Sequence, residues 1–285
     1  MARFPKMFLA TTLAGVTFLP SPPQSRPLLT KVEHFYLVSD DSERLYNFFR
    51  DELRLPVVWA FNTYGSFASG GLTLGNVVIE FVRGGRFGPA GAAEFKGIAF
   101  EPAGDADAAA GELKRRGVAY GDLNPFKYSQ GGQERVGWVT IDLEGFAPAG
   151  AHIFICDYKD RERVAEGRRR ASNELAANGG GPLGVTSLKE LVVGVKSVRG
   201  ASQPWRKLLD APETGTDPVF AFGPGPKVRL LTADMEGIQS IVVGVKSAAR
   251  ARQFLAERRM LGGDEKRLRI NPAAIGGLNI ILVED

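Results

Sequence analysis

Histidine and cysteine are scarce in this chain, and their number limits the chemistry that it can carry out. The 285 residues contain two histidines, His34 and His152, and one cysteine, Cys156. A site that needs three histidines is therefore excluded, and any catalytic histidine is one of these two. A single cysteine also excludes an internal disulfide framework and a zinc site built from cysteines.

The elements that position these residues form a repeat. The six residues VVGVKS occur at 192–197 and again at 242–247, 50 residues apart, and a helical pattern follows each copy. A repeat at such a period indicates one supersecondary unit that has been copied. The same order of a strand and an amphipathic helix recurs twice earlier in the chain. We therefore predict four βαβββ units, which open near Val32, Phe95, Leu188 and Ile238.

The four units are expected to pair into two domains of the α+β class. Residues 30–160 form the first domain and residues 186–285 the second. Between them, residues 161–185 contain a charged stretch that predicts a connecting helix, and the Asn-Gly-Gly-Gly sequence at 178–181 is typical of a helix stop and hinge.

Residues 1–29 differ from the rest of the chain. Arg3 and Lys6 precede an apolar run at residues 7–19, which has the order of a secretory signal but no A-x-A-like cleavage site after it. The run is too short for an ordinary transmembrane helix. We expect an N-terminal extension on a cytoplasmic protein, with export the alternative if residues 1–25 act as a signal peptide.

The charge of the chain argues against a nucleic-acid partner. The net charge is +4, spread over 285 residues, which is weak evidence for binding to a polyanion. No segment other than the N-terminal run is a candidate for a membrane span. The expected partner is a small-molecule ligand, without nucleic acid or membrane, and a homodimer stays open.

The first unit carries the most specific pattern in the chain. Residues 32–61 read VEHFYLVSDDSERLYNFFRDELRLPVVWAF, and residues 69–81 read SGGLTLGNVVIEF. They resemble the opening and the close of a glyoxalase-like module. With four such units, the chain resembles the vicinal oxygen chelate superfamily, which includes glyoxalases, bleomycin-resistance proteins and extradiol dioxygenases. The resemblance implies two paired-module domains, each curled into a half-open cup that holds a divalent metal at its base.

The resemblance also implies which residues would bind that metal. His34 falls on the first-strand ligand position and Glu80 on the last-strand position of the first unit. Imidazole and carboxylate together suit a divalent ion such as Zn, Fe, Mn or Ni. In the second unit the corresponding positions hold Gly97, which has no ligand atom, and Cys156 or, one register off, Ile155 or Asp157. His34 and Glu80 are therefore a working metal pair, a remnant that binds substrate directly, or a buried hydrogen-bonded pair.

Aromatic residues predict the lining of the first cup. Strand alternation places Tyr36 on the same face as His34. The candidate substrate-binding residues are Tyr36, Trp59, Phe61, Tyr64 and Phe67, with Trp138 from the opposite wall. Such a lining would suit a planar or apolar small molecule. The alternative is that most of these side chains belong to the hydrophobic core.

Two functions follow from the resemblance. The leading one is a glyoxalase-like enzyme that acts on a small molecule with vicinal oxygens, by metal-assisted isomerase, lyase or oxygenase chemistry at His34 and Glu80, with Glu80 as a catalytic general base. The alternative is a protein of the bleomycin-resistance type that binds or sequesters a small molecule without a metal. The second domain, with Glu190 and Ser240 at the matching positions, is expected to be structural.

Overall fold

The computed structural model describes residues 27–85, 91–146, 151–210, 218–264 and 267–285. The predicted apolar run at residues 7–19 lies outside these ranges. In the described part of the chain, no helix combines the length and the hydropathy that a membrane span requires.

The first two units build one sheet of eight strands. The first unit contains β1 (Leu29–Val38), α1 (Ser42–Asp51), β2 (Val57–Tyr64), β3 (Phe67–Thr73) and β4 (Val78–Gly84), and the second contains β5 (Glu94–Pro102), α2 (Ala106–Arg116), β6 (Tyr120–Gln130), β7 (Gln133–Leu143) and β8 (His152–Tyr158). The strand order is β2-β3-β4-β1-β5-β8-β7-β6. The first strands of the two units, β1 and β5, are antiparallel neighbours at the centre, and each runs parallel to the last strand of its own unit.

Helix α3 (Arg161–Ala177) then leads to a second sheet of seven strands. Its elements are β9 (Val185–Val195), α4 (Val198–Leu209), β10 (Val219–Phe220), β11 (Lys227–Thr232), β12 (Gly237–Val245), α5 (Ala248–Glu257), β13 (Leu261–Gly262), β14 (Arg269–Ile270), a 3-10 helix (Pro272–Ile275) and β15 (Ile280–Glu284). The strand order is β10-β11-β9-β12-β15-β14-β13. The third unit departs from the prediction, because its described residues form two strands after the helix instead of three.

Turn chemistry fixes where the helices end. Helix α2 begins after Asp105, whose side chain accepts a hydrogen bond from the backbone of Ala108, and it is capped at its end by Gly117 in the left-handed conformation. Helix α3 ends at Ala177, and the three glycines after Asn178 all have positive φ. The glycine run therefore reverses the chain between the two sheets.

One hydrophobic core serves both sheets. Alternation along β1 sends Phe35 and Leu37 into this core and turns Tyr36 to the other face. The Phe100 ring of β5 lies 4.5 Å from that of Phe222, which precedes β11 of the second sheet. Each sheet consequently buries one face in the shared core, and the opposite face of the first sheet is available to form a site.

A side chain of the first half also hydrogen-bonds to the backbone of the second half. The side chain of Asn76, just before β4, donates to the carbonyl of Leu188 and accepts from its amide, at 3.0 and 2.9 Å. A side-chain amide that satisfies both groups of one strand residue fixes the register between the halves.

Candidate functional site

A β-bulge in β1 brings two polar side chains together. Val32 pairs with Phe100 and His34 pairs with Ala99, so Glu33 is an extra residue without its own partner on β5. A bulge breaks the alternation of side chains along a strand. The Glu33 carboxylate therefore lies beside His34 and contacts Nδ1 of the imidazole. In a regular strand, two consecutive residues would point to opposite faces.

Helix α3 supplies the cation for this carboxylate. The Arg168 guanidinium contacts Oε1 of Glu33, whose side chain is 0% exposed. The same guanidinium lies 5.1 Å from the centre of the Tyr158 ring. The connecting helix therefore packs over the first sheet and takes part in its polar cluster.

The cluster continues from His34 to the aromatic wall. Nε2 of His34 lies 3.4 Å from Oε2 of Glu80, whose side chain retains 16% exposure. The Ser69 hydroxyl interacts with the Glu80 carboxyl closely enough to lower its pKa, and it accepts a hydrogen bond from Nε1 of Trp59 at 3.3 Å. A continuous polar chain thus runs from Arg168 through Glu33, His34, Glu80 and Ser69 to Trp59; we call it the polar chain.

Burial and neighbouring charges set different pKa values along the polar chain. Burial acts to raise the pKa of Glu33, but the charges of Arg168 and His34 outweigh it and lower that pKa. Burial acts to lower the pKa of His34, but the Glu33 carboxylate outweighs it and raises that pKa. Burial raises the pKa of Glu80, and His34 and Ser69 offset this effect in part. Of the two carboxyl groups in the polar chain, Glu80 therefore takes up a proton more readily than Glu33.

A row of residues crosses the same face at the level of Glu80. Strand pairing places Glu80 beside Tyr36, Tyr36 beside Gly97, and Gly97 beside His152. The Tyr36 hydroxyl lies 2.7 Å from Nδ1 of His152, and Nε2 of His152 lies 2.8 Å from Oδ1 of Asp142. His152 joins this row because β8 begins beside the middle of β5.

Aromatic rings border the polar chain on two sides. Phe67, Trp138 and Tyr158 pack around the cluster of buried residues on this face. The rings of Phe126 and Trp138 stack at 3.9 Å, and Phe67 contacts Phe126 at 6.2 Å. Because β3 and β6 belong to opposite ends of the strand order, the contact between Phe67 and Phe126 curls the sheet into a cup.

Two more of the predicted aromatic residues lie at this cup. The Trp59 ring lies over Gly71, where a Cβ atom would come within 2.5 Å of it. Tyr64 stacks on Phe67 with ring centres 5.5 Å apart. The absence of a side chain at Gly71 thus makes room for the indole beside Glu80.

Phe61 is the exception among the predicted residues. Its ring lies 5.7 Å from that of Tyr46 in α1 and packs against the shared core. The cause is an irregularity in β2, where the register shifts between Trp59 and Asn62. Strand alternation fails across this shift, so the expectation that Phe61 lines the cup is wrong.

Several members of the site were absent from the sequence-based set. They are Glu33, Ser69, Phe126, Asp142, Phe154, Tyr158 and Arg168. Glu33 gave no signal because a bulge is invisible in the alternation pattern. Arg168 belongs to the charged stretch that predicted the connecting helix, and its spacing from Ala171 and Leu175, both buried, was the available signal that it faces the protein.

The residues present do not fit the three-ligand metal site that the resemblance implies. A catalytic metal site needs three protein ligands and open positions. Within the described ranges, no group of three or more His, Cys, Asp or Glu side chains could hold a metal ion. Gly97 has no ligand atom, and burial raises the pKa of Cys156 well above its ordinary value, which disfavours the thiolate that binds metals.

Comparison with known proteins identifies the fold. No family model and no curated protein matches the chain. Solved structures do match: a homoprotocatechuate 2,3-dioxygenase variant from Brevibacterium fuscum is 14% identical, with a TM-score of 0.57 over 92% of this chain and 73% of that one. The Arthrobacter globiformis enzyme is 13% identical, with a TM-score of 0.55 over 95% and 84%.

A third structure adds a ligand. It is the Brevibacterium fuscum dioxygenase in complex with 3,4-dihydroxyphenylacetate, 13% identical, with a TM-score of 0.56 over 92% of this chain and 82% of that one. These neighbours are extradiol dioxygenases of the vicinal oxygen chelate superfamily, and identities this low establish the fold alone. Their likeness and the two curled sheets agree with the prediction from the first unit. The chain therefore has the α+β fold of the vicinal oxygen chelate superfamily, built from βαβββ-type modules.

Proposed function

We propose that the cup of the first sheet binds a small aromatic molecule and does so without a metal ion. The observation that carries this proposal is the partly exposed carboxyl of Glu80 on a face that aromatic rings border, with Trp59 beside Ser69 and Trp138 packed against the buried cluster of that face. Binding sites for small molecules combine such apolar walls with a few placed polar groups.

The polar chain supports a ligand contact at Glu80. Glu33 at the inner end is fully buried and is held by both Arg168 and His34. Glu80 at the outer end keeps its 16% exposure and has the raised pKa. A protonated Glu80 donates a hydrogen bond to a ligand oxygen, and an ionised one accepts a hydrogen bond from a ligand hydroxyl.

Metal-assisted isomerase, lyase or oxygenase chemistry at His34 and Glu80 is the competing proposal. The observation in its favour is the contact of His34 Nδ1 with Glu33, because metal-binding histidines commonly donate their second ring nitrogen to a carboxylate. The missing third ligand counts against it.

Tryptophan fluorescence tests the leading proposal. The chain has three tryptophans, of which Trp59 and Trp138 lie at the cup and Trp205 is 0% exposed in the shared core. We would titrate phenol, catechol, indole and 1-naphthol into the metal-free wild type and into Trp59→Phe, Trp138→Phe and Trp205→Phe. Quenching is expected in the wild type and in Trp205→Phe, and it should shrink in the two cup variants.

Glu80→Gln tests the polar contact, with Glu190→Gln on the second sheet as the matched control. Loss of a hydrogen bond to a charged group, about 1.5 kcal/mol, weakens binding about tenfold. Quenching that is equal in all tryptophan variants, or absent for every compound, would reject the cup as the binding site. Near-stoichiometric metal by elemental analysis, lost in both His34→Ala and Glu80→Ala, would favour the competing enzyme.

A further inference from the structure

We propose that Tyr36, held by His152 and Asp142, has taken over the place in the cup where the resemblance implies a metal ligand from the second unit. The cup then offers a hydroxyl oxygen that can accept a hydrogen bond where a metal site would offer a Lewis acid. This inference rests on the proposed function, because it concerns the same cup and specifies which ligands it prefers.

The geometry around Gly97 is the first argument. A Cβ atom built on Gly97 would lie 2.1 Å from Cε1 and 2.4 Å from Cζ of the Tyr36 ring. Real Cβ contacts do not come so close, so the ring fills the space that any side chain at residue 97 would need. Gly97 is therefore the residue that lets Tyr36 lie across the strand, and a ligand side chain and the ring exclude each other.

The hydrogen bonds of Tyr36 are the second argument. A carboxylate only accepts, so Nε2 of His152 donates to Asp142, and in the neutral imidazole Nδ1 then accepts from the Tyr36 hydroxyl. The imidazole also stacks on the Phe154 ring at 4.2 Å, with 3° between the planes. The imidazole is thus held on three sides, and it keeps the Tyr36 ring over Gly97.

The position of this group relative to Glu80 is the third argument. Tyr36 is the strand neighbour of Glu80 on one side and of Gly97 on the other. His34, which faces Glu80, also contacts Phe154 at 5.7 Å. The hydrogen-bonded group of Tyr36, His152 and Asp142 and the polar chain therefore meet on one face. There, Tyr36 replaces the side chain that would complete a ligand set with His34 and Glu80.

The exchange predicts the class of ligand. A metal ion binds two neighbouring oxygens of one molecule at once, so it favours vicinal oxygens. Hydrogen bonds from separate side chains give no such gain. We infer that the cup takes aromatic molecules with a single hydrogen-bonding oxygen as readily as those with two, so that catechol binds no more tightly than phenol.

Restoring a metal-binding side chain at residue 97 tests whether Tyr36 has replaced it. We would measure Co²⁺ binding by calorimetry and by the visible absorption of the bound ion in the wild type, Gly97→His, Tyr36→Phe/Gly97→His and Tyr36→Ala/Gly97→His, with Tyr36→Ala as the matched control. Circular dichroism verifies folding. Binding is expected in Tyr36→Ala/Gly97→His alone, because only that variant has both the third ligand and the space for it.

Three results would overturn the inference. They are stoichiometric Co²⁺ in the wild type, binding to Gly97→His as tight as to Tyr36→Ala/Gly97→His, and no binding to the folded Tyr36→Ala/Gly97→His protein. If the variants that keep the ring fail to fold, the comparison of Tyr36→Ala/Gly97→His with Tyr36→Ala decides alone.

The phenol and catechol titrations separate this inference from the proposed function. Catechol that binds the metal-free wild type more than about tenfold tighter than phenol contradicts the ligand class and leaves the binding function standing. No binding of either compound, or of the rest of the panel, removes the proposed function, while the Co²⁺ experiment still reports on the exchange.

Discussion

The two sheets share a plan and differ in what they place on the face turned away from the core. In each, two first strands are antiparallel neighbours and each pairs in parallel with a later strand of its own unit. The first sheet gathers a buried chain of charges and a border of aromatic rings there. The second places Glu190 in the corresponding region, and Arg229 binds it through two hydrogen bonds of 2.6 and 2.8 Å.

The difference lies in how each acidic residue is satisfied. The side chains of Glu190 and Arg229 are 20% and 42% exposed, so water screens the pair. The side chain of Glu33 is completely buried, and one of its partners, His34, also contacts Glu80. A solvent-screened ion pair is a surface contact, whereas a buried chain of charges that ends in the partly exposed carboxyl of Glu80 can serve a ligand.

Loss of the arginine should therefore be far more costly in the first sheet. Arg168→Met removes the guanidinium partner of the buried Glu33 carboxylate and leaves it only His34, and breaking a buried pair in this way costs about 3–5 kcal/mol of unfolding free energy. Arg229→Met removes an exposed pair and should cost less than about 1 kcal/mol. Urea unfolding of both variants measures the difference, and Glu33→Gln added to Arg168→Met should recover part of the loss. Equal costs would contradict the contrast between the sheets.

Glycine replacements sharpen the same comparison on a smaller scale. Gly97→Ala drives a methyl group into the Tyr36 ring and should cost about 1–3 kcal/mol. In the second sheet, a Cβ on Gly244 would lie 2.4 Å from Cε of Lys189 and 2.5 Å from Oδ1 of Asp285. The third contact is Oγ1 of Thr186 at 2.7 Å. All three are side-chain ends, and Lys189 and Asp285 form a partly exposed ion pair that can move more easily than the buried Tyr36 ring, so Gly244→Ala should cost less than Gly97→Ala. Thermal unfolding of the two variants provides the measurement, and a larger loss for Gly244→Ala would refute the argument.

The smallest expected effect is an opposite pH dependence of the two acidic residues. The pKa of Glu80 is raised above its ordinary 4.5, so its contribution to stability is fully present below that pH and is lost as the pH rises through the folded-state pKa. Arg229 lowers the pKa of Glu190 from 4.5, so that contribution is present above the ordinary value and is lost as the pH falls through the folded-state pKa.

Glu80→Gln and Glu190→Gln isolate the two contributions. The unfolding free energy of the wild type relative to Glu80→Gln should fall as the pH rises from about 4 to about 7. The unfolding free energy of the wild type relative to Glu190→Gln should rise with increasing pH over the acidic part of that range. Urea titrations at several pH values test both slopes, and two slopes of the same sign would show that the two carboxyls share one kind of environment.

Regular alternation made part of the site accessible from the sequence. It placed Tyr36 on the face of His34, because β1 follows the two-residue period from Phe35 onward. The proximity of His34 to Glu80 depended on the pairing of β1 with β4, which the alternation cannot specify and which the resemblance supplied. The strand and helix order of the units followed from the VVGVKS repeat and its counterparts, except for the shortened third unit.

The residues that escaped prediction lie where a period breaks or where a contact is distant in sequence. Glu33 and Phe61 sit at irregularities in β1 and β2, which reverse the face that alternation assigns. Arg168 contacts Glu33 across 135 residues of sequence. His152 joins Tyr36 across 116 residues. Such contacts are set by the packing of α3 and β8, which no local pattern encodes.

The origin of Arg168 in helix α3 has a consequence for biosynthesis. All eight strands of the first sheet precede residue 161, so the ribosome completes them before it adds the cation for Glu33. Until α3 leaves the exit tunnel, the nascent sheet must keep that carboxylate hydrated or protonated. The polar chain of the cup is therefore completed by the segment that leads into the second half of the protein. A gene truncated after β8 would encode the eight strands of the first sheet without Arg168.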